Sequence, residues 1–405
     1  MVAGLRQLDR LALSLDEYAV AVRSPGPIPV SISWISGPPE TGERLPQHPR
    51  LTHLSFTDNP DRFAAEMANA AAVLVLDTHL VLGRDSLIAI LSAPSSEATG
   101  PCSIVRGIEL ASMDLRTAPP REQHSGGANW SYLNAFSEIA AAEKQLLGGT
   151  AKSQDGVISR MVNRPISRAV SGWLVRTRIR PNQLTLILMA IPLAGSLFLL
   201  RGDYLGFALG AILFQLHSAL DGCDGEIARV KYQDSVAGRQ LDGLCDRFST
   251  LLYAVCLGLG LFRQPGMGEV MRWLYPLEGI LAALLIGVSE TILTRGSLDE
   301  YAEAPAAPAS LYPQFLQERR TRFNEGDQLK LWAIKNSGML FLGEGAASFF
   351  SEITKRDVFN FIFMLLALCG RPAWILHILA TCAVGIVIFT VKDLSATRPL
   401  NGKPG

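Results

Sequence analysis

The 405-residue chain lacks the sequence features of nucleic-acid-binding, disulfide-rich, zinc-binding and secreted proteins. Its 37 basic and 37 acidic residues leave no formal net charge, and this balance gives no indication of a nucleic-acid partner. The six cysteines are scattered without the spacing of a disulfide framework or a zinc site. The stretch 1–20 carries acids and no uninterrupted apolar core, so a signal peptide is not predicted.

The first part of the chain, up to about residue 125, also lacks an apolar run long enough to span a bilayer. Short β-rich runs recur there instead, at 28–35, 50–56, 71–82 and 102–110. Helical patterns lie at 60–71 and 129–147, and a loop pattern lies at 116–128. Strands that alternate with helices predict a cytosolic α/β domain over 1–150 with a partly parallel sheet.

Apolar runs dominate residues 182–397, which we predict to form an α-helical membrane bundle. Six transmembrane helices are expected, at about 183–200, 204–228, 238–262, 272–294, 355–369 and 372–392. The fifth is short for a full span, so its charged start should be buried in the bundle. Turns near 201, 264 and 371 are short, whereas the polar segment 295–354 is long and carries several basic residues. The positive-inside rule therefore predicts a protein of the cytoplasmic (inner) membrane whose N-terminal domain, motif loop and both termini face the cytoplasm.

Residues 151–181 join the two parts and predict an amphipathic juxtamembrane helix. One helical face is apolar: Val157, Met161, Val170, Trp173 and Leu174. Six arginines flank that face: Arg160, Arg164, Arg168, Arg176, Arg178 and Arg180. Such a helix suits an anionic membrane surface, and the alternative is a solvated helix that packs on its own domain.

Four aspartates stand out within the stretch 221–246, DGCDGEIARVKYQDSVAGRQLDGLCD, between two long apolar runs. Asp221 and Asp224 end one run at spacing i, i+3, and Asp242 and Asp246 open the next at spacing i, i+4. Each pair therefore lies on one helical face, and two antiparallel helices would point the pairs at each other. A charge at bilayer depth costs at least about 2.5 kcal/mol, so these acids must face a polar cavity or a metal.

The chemistry of this stretch suits phosphoryl transfer. Ligand sets made only of oxygen favour Mg²⁺ or Mn²⁺, and two such ions about 3.5–4 Å apart are the usual clamp for phosphoryl displacement. Gly225 and Gly238 let a nucleotide or a facing backbone approach closely, and Arg229 suits phosphate oxygens. The alternative is a transporter that uses the buried acids, for which inverted repeats would be expected.

The pattern D-x2-D-G-x2-A-R-x8-G-x3-D-x3-D resembles the signature of the CDP-alcohol phosphatidyltransferase family, with every fixed position matched. The resemblance implies six transmembrane helices, two divalent ions, and attack by an acceptor hydroxyl on the phosphorus of a CDP-alcohol, releasing CMP. It also implies metal ligation by Asp221, Asp224, Asp242 and Asp246, with Asp246 as the general base. The residues that would hold the CDP moiety are Gly225, Arg229, Ser235, Asn182 and Thr185.

Two of these assignments have structural alternatives. Asn182 and Thr185 belong to a P-N-x-x-T segment that such enzymes often have, but capping of a helix would explain both residues equally well. Lys355 and Arg356 open the fifth helix, where basic residues commonly mark the cytoplasmic side. We favour the hypothesis that they bind the phosphate of a polyol phosphate acceptor, with Asp357 orienting Arg356.

The segment from Lys152 to Thr185 resembles the junction of fused enzymes that make inositol phosphodiesters, in which a cytidylyltransferase precedes the membrane transferase. The N-terminal part departs from that pattern, because SWISGPPETGERL at 33–45 stands where a glycine-rich basic phosphate loop is needed. Asp77 could stand in for a metal-binding aspartate there. We therefore expect a degenerate, inactive relative of the cytidylyltransferase, and the alternative is a bifunctional enzyme that makes its own CDP donor. Membrane lipid is an expected partner, and a homodimer is left open.

Overall fold

The structure is a computed structural model that describes residues 1–21, 26–32, 45–46, 48–57, 73–84, 86–87, 103–105, 130–133, 135–150, 156–264, 268–303 and 356–396. The predicted helix at 60–71, the loop at 116–128 and all but the last residue of the segment 33–45 lie outside these residues. So do Lys152 and Lys355.

The N-terminal region contains short strands and two helices. Helix α1 (Gln7–Ala21) precedes strands β1 (Ile28–Ser31), β2 (Leu54–Thr57), β3 (Val73–Val75), β4 (Leu80–Leu82), β5 (Ser103–Val105) and β6 (Trp130–Tyr132), and helix α2 spans Ile139–Gly148. β1 and β2 pair in parallel, whereas β3 with β5 and β4 with β6 pair antiparallel. The described strands form three separate two-stranded sheets, one of them parallel, and the predicted α/β domain with a partly parallel sheet stays a prediction.

Two predicted elements of this region were wrong in part. The run 71–82 is two strands, because Asp77 accepts a hydrogen bond from the backbone N–H of His79 at 2.9 Å and turns the chain between β3 and β4. The helix predicted at 129–147 begins late. Its first residues form β6, in which Tyr132 lies opposite Leu80, because aromatic residues suit a half-buried strand.

Helices occupy all six predicted positions of the membrane part. Their bounds are α4 Pro181–Leu188 with α5 Ala190–Leu199, α6 Tyr204–Leu220 with α7 Gly222–Val230, α8 Val236–Arg263, α9 Glu269–Glu303, α10 Arg356–Leu368 and α11 Pro372–Ala396. Three described segments are long and apolar enough to cross a membrane: Pro181–Leu199, Tyr204–Val230 and Val236–Arg263. These segments indicate an integral membrane protein, and spanning by the other three helices stays a prediction.

The predicted bounds need three corrections. The first helix is interrupted at Met189, because Pro192 cannot donate the backbone hydrogen bond that would continue the helix across Leu188. The second is divided at Asp221 into α6 and α7, although the Asp221 backbone keeps helical angles. The fourth runs on to Glu303, nine residues beyond the predicted end at 294, so the polar segment begins later than expected.

Close helix packing holds the bundle together. A core cluster that includes Phe207, Phe214, Tyr253 and Leu257 fills the space between α6 and α8. At Gly260 the helices approach so closely that an added Cβ would lie 2.1 Å from the Leu199 carbonyl oxygen of α5. Small residues at such crossings allow the van der Waals packing that drives helix association in a membrane.

The juxtamembrane segment is helical, with a π-helical turn at Ser159–Asn163 followed by α3 (Arg164–Leu174). Met161, Ile166 and Trp173 are exposed, as an interfacial helix requires. Arg164 is a correction: it does not flank the apolar face in water but is buried, with Nη1 2.8 Å from Glu226 Oε1 of α7. The strong amphipathic pattern cannot distinguish an arginine that faces water from one that faces a buried acid.

Candidate active site at the joint between two helices

Three of the four predicted metal ligands converge. Asp221 lies at the joint between α6 and α7, and Asp242 and Asp246 lie in the first turns of α8. One carboxylate oxygen from each lies within 4.8 Å of the other two. The spacing argument therefore holds for these residues, since facing helices carry their acids towards one another.

Asp224 lies outside that group of three. It is 7% exposed, and its carboxylate accepts a hydrogen bond from the Thr185 hydroxyl of α4 and one from the Gly225 N–H at 2.5 Å. The backbone stays helical through Asp221, so the hydrogen bonds of Asp224 to Thr185 and to the Gly225 N–H, rather than a change of helix direction, keep its carboxylate out of the group. Thr185 donates a hydrogen bond to Asp224, and its predicted contact to CDP stays a prediction.

Arg356 lies directly on the acid cluster. Its Nη2 is 3.0 Å from Asp221 Oδ2, and its Nη1 is 2.5 Å from Asp246 Oδ2. The expected orienting role of Asp357 is wrong, because the Asp357 carboxylate accepts a hydrogen bond from the Ser159 N–H at 2.6 Å. The two acids themselves orient Arg356, and Asp357 fixes the start of α10 to the juxtamembrane segment.

The predicted CDP contacts fall into two groups. Gly225 and Arg229 are one helical turn apart, and a Cβ on Gly225 would lie 3.3 Å from Arg229 Nη1. Ser235 is the N-cap of α8, where its hydroxyl oxygen accepts a hydrogen bond from the Gly238 N–H at 3.0 Å. Asn182 lies across from that turn, with Oδ1 2.9 Å from the position of a Gly238 Cβ. The capping alternative is thus realised at Ser235 rather than at Asn182 or Thr185.

A cleft of about 440 Å³ connects most of these residues. Its lining includes Asp221, Asp224, Gly225, Arg229, Asp242 and Arg356. The volume is in the range of small-molecule sites, and acidic and basic groups share its wall. A ligand with phosphate groups and a bound cation would meet complementary charges here.

Sequence reasoning missed a polar layer beneath the cleft. Glu226 is fully buried and accepts hydrogen bonds from Arg164 and from the Ser167 hydroxyl, each at 2.8 Å. Gln215 donates to Asn163 Oδ1 at 3.0 Å. The signal for this layer was present, because Glu226 is a further acid inside the motif stretch and a buried acid needs a partner.

A second small cavity, of about 40 Å³, is lined by Asp246 and Arg356. Its wall includes His217, Tyr253 and Asn360, and the first two are buried. None of these residues was predicted, since a lone histidine and a lone tyrosine in apolar helices have no distinguishing spacing.

The residues of the cluster fit a divalent cation. Their ligand atoms are carboxylate oxygens only, they come from two rigid helices, and three of them are within 4.8 Å of one another. The guanidinium of Arg356 against two of the same carboxylates shows that their geometry accepts positive charge. The cluster can therefore hold a metal ion, and the identity and number of ions belong to the proposal below.

Comparisons with known proteins agree with this chemistry. The family model described as CDP-alcohol phosphatidyltransferase matches residues 178–316. A protein of Thermococcus kodakarensis named "Bifunctional IPC transferase and DIPP synthase" is 28% identical over 234 residues, covering 57% of this chain and 50% of the relative. A protein of the same name from Archaeoglobus fulgidus is 34% identical over 134 residues, covering 33% of this chain and 26% of the relative.

A shorter similarity reaches the "Phosphatidylinositol phosphate synthase" of Corynebacterium glutamicum, which is 31% identical over 94 residues, covering 23% of this chain and 42% of the relative. The chain spans about half or less of the length of these relatives. The region that the family model matches, residues 178–316, contains the whole acid motif and the first four predicted helices. The chain therefore carries a domain of the CDP-alcohol phosphatidyltransferase family over residues 178–316, as the motif predicted.

Proposed function

We propose that this protein transfers a phosphoalcohol group from a CDP-alcohol to a hydroxyl acceptor and releases CMP. The observation that carries the proposal is the convergence of Asp221, Asp242 and Asp246. Asp221 and Asp242 also line the cleft, together with Arg229 and Arg356. The family match supports the reaction type. A family of transferases gives no support to the transporter alternative.

Asp221, Asp242 and Asp246 would hold a divalent cation, which we propose to be Mg²⁺ or Mn²⁺. When bound, the cation would neutralise charge on the phosphate oxygens of the donor. Asp224 was expected to be a further ligand, and a second ion would require its carboxylate. Its hydrogen bond to Thr185 supports a role in which Thr185 holds that carboxylate in place at the edge of the cleft.

Asp246 is proposed as the general base. The acceptor hydroxyl would form a bond to the phosphorus that carries the alcohol, the bond from that phosphorus to CMP would break, and the hydroxyl proton would go to the carboxylate. Arg356 Nη1 lies 2.5 Å from Oδ2 of that carboxylate, and a guanidinium there favours the charged form. Exchange of this contact for another partner would make Asp246 a stronger base. An acceptor phosphate offers the guanidinium such a partner.

This exchange supports a polyol phosphate as the acceptor. Arg356 would bind the acceptor phosphate, with Lys355 beside it in the sequence, and would leave Asp246 free to face the hydroxyl. On the donor side, Gly225 and Arg229 line the cleft and are proposed to hold the CDP moiety. Ser235 caps α8, Asn182 of α4 faces the first turn of α8, and both would extend that contact.

Cytoplasmic orientation and the state of the N-terminal region are also proposals. We place the cleft on the cytoplasmic face, because the juxtamembrane arginines and the N-terminal region are on the same side of the bundle. Two of the relatives are named bifunctional, which keeps open a second activity that makes the CDP donor. Residues 33–45 differ from the glycine-rich basic phosphate loop that a cytidylyltransferase needs, and we therefore propose that this activity is absent here.

One experiment tests the reaction and the acceptor together. Purified protein in lipid nanodiscs is incubated with Mg²⁺, a CDP-diacylglycerol or a CDP-linked polyol, and a panel of polyol phosphates, and products are identified by mass spectrometry. The proposal expects CMP in equal amount to a new phosphodiester, with loss of both in Asp242→Asn and in excess chelator. Asp203→Asn, which changes an acid in the turn before α6, is the matched control and should stay active.

The bifunctional alternative is tested with the same protein and no CDP donor. CTP and a polyol phosphate are supplied, and pyrophosphate release is followed. The proposal expects none, and pyrophosphate together with a CDP-linked product would establish the second activity.

A further inference from the structure

The loop Lys231–Ser235 joins α7 to α8, the two helices that meet at the acid cluster. Lys231 and Tyr232 are buried, which is unusual for a connecting segment. Tyr232 has φ of 53°, in the left-handed region that is unfavourable for residues other than glycine. Such a conformation persists only when the surrounding structure holds it.

Helix α1 of the N-terminal region holds the first half of this loop. Arg10 is 1% exposed and donates one hydrogen bond to the Val230 carbonyl at 2.9 Å and another to the Val2 carbonyl at 2.9 Å. The Ser14 hydroxyl and the Tyr232 hydroxyl are 2.9 Å apart. The Arg10 guanidinium also lies 5.9 Å from the centre of the Tyr232 ring, within the range of a cation–π contact.

Asp234 holds the second half of the loop. Its Oδ1 accepts a hydrogen bond from Arg84 at 2.8 Å and another from Arg50 at 2.9 Å, and Arg84 also donates to Glu17 at 2.7 Å. The side chains of Asp234 and Arg84 are only 13% and 14% exposed, so solvent screens this pair little. Burial alone would raise the pKa of Asp234, but the two guanidiniums outweigh it and lower that pKa below its usual value.

Ser235, the residue after Asp234, links the held loop to the acid cluster. Ser235 follows Asp234 directly and caps α8 through the Gly238 N–H. Asp242 lies two helical turns beyond that cap, and Asp246 lies one turn further. A shift of the cap therefore moves both carboxylates relative to Asp221.

We propose that Asp234 is a positioning residue through which the N-terminal region holds the first turns of α8, and with them the acid cluster, in register with α7. This region then acts as a brace for the transferase site. The activity part of the inference rests on the proposed function.

Full-length variants test the proposal. Asp234→Asn removes the charge at nearly constant shape, Arg50→Gln removes one of the two partners, and Arg50→Lys keeps the charge. Asp203→Asn is the matched control, because Asp203 also precedes a helix, caps it through the Gly206 N–H and pairs with an arginine, Arg201, at 2.8 Å. Two quantities are measured on folded protein: amide hydrogen exchange of residues 236–242, and CMP release with separate kcat and donor KM.

Asp234→Asn should speed exchange in 236–242 and lower kcat about tenfold, since a displacement of about 1 Å can cost up to about a hundredfold. Arg50→Gln should show a smaller change of the same kind, about threefold, because Asp234 keeps Arg84. Arg50→Lys should restore most of the wild-type kcat and most of the wild-type exchange protection. Asp203→Asn should leave both the exchange of 236–242 and kcat within about twofold of wild type.

Wild-type exchange in 236–242 or wild-type kcat in a folded Asp234→Asn variant would overturn the proposal. If that variant does not fold, Arg50→Gln decides on the same two criteria, since Arg50 is 34% exposed and its loss is milder. If the wild-type protein releases no CMP from any CDP-alcohol, the proposed function fails. The exchange measurement then decides alone whether Asp234 positions α8.

Discussion

Replacement of Arg356 should affect metal and acceptor in opposite directions. Arg356 occupies a position between Asp221 and Asp246 that a cation would share, so its removal should free both carboxylates. Arg356→Ala should therefore bind Mn²⁺ more tightly than wild type and use a phosphorylated acceptor less well. A residue that only marked membrane topology would change neither property.

The contacts give the size of the first effect. A hydrogen bond to a charged group contributes roughly 1.5–3 kcal/mol when shielded from water. The Arg356 side chain is 48% exposed, so solvent screening reduces each contact to at most about 1 kcal/mol. Two contacts give about 1–2 kcal/mol, which corresponds to roughly 5- to 30-fold in Mn²⁺ affinity.

The assay is Mn²⁺ titration of the purified protein followed by electron paramagnetic resonance, together with acceptor KM from CMP release. Arg356→Lys should lie between wild type and Arg356→Ala, because a lysine keeps the charge but loses the fork. Arg263→Ala, at the far end of α8, is the control for loss of an arginine. Weaker Mn²⁺ binding in Arg356→Ala would refute the reasoning, because Arg356 would then be ordering the ligands rather than occupying their site.

Three further predictions concern the site and its support. Gly260→Ala should lower the stability in detergent by about 2 kcal/mol, seen as a lower melting temperature, whereas Gly268→Ala, whose added Cβ would meet no atom of the described residues within 4 Å, should not. Thr185→Val should raise donor KM about 5- to 10-fold through loss of the hydrogen bond to Asp224, and Thr185→Ser should restore it. Because the pKa of Asp234 is lowered on folding, its stabilisation is present above the unfolded pKa and is lost as pH falls through the lower folded value. Melting temperatures from pH 7 to pH 3 should therefore fall more for wild type than for Asp234→Asn.

The sequence predicted the helices and most of the acid cluster for physical reasons that are local. Apolar runs fix where helices can cross a bilayer, and spacing fixes which acids share a face. Asp242 and Asp246 lie in one continuous helix, so the i, i+4 argument applied without change. The spacing argument was incomplete for Asp224, because a hydrogen bond from Thr185, 39 positions earlier in the chain, engages its carboxylate.

Contacts between distant residues lay beyond this reasoning. Arg356 and Asp221 are 135 positions apart, and neither residue carries a local signal of the other. The burial of Arg164 depends on Glu226 in a neighbouring helix, which an amphipathic pattern does not reveal. Asp234 was overlooked within the motif stretch, since its partners come from a region whose function was expected to be separate.

The central claim is that a CDP-alcohol is the donor and that the aspartate cluster carries out the transfer. The most direct test is CMP release from CDP-diacylglycerol by the purified protein with Mg²⁺ and a polyol phosphate, compared between wild type and Asp246→Asn at saturating donor. The account predicts CMP release by wild type, with kcat reduced about 10²–10⁴-fold in Asp246→Asn and donor KM nearly unchanged. Equal kcat in the two proteins, or a collapse of donor affinity with kcat preserved, would contradict it.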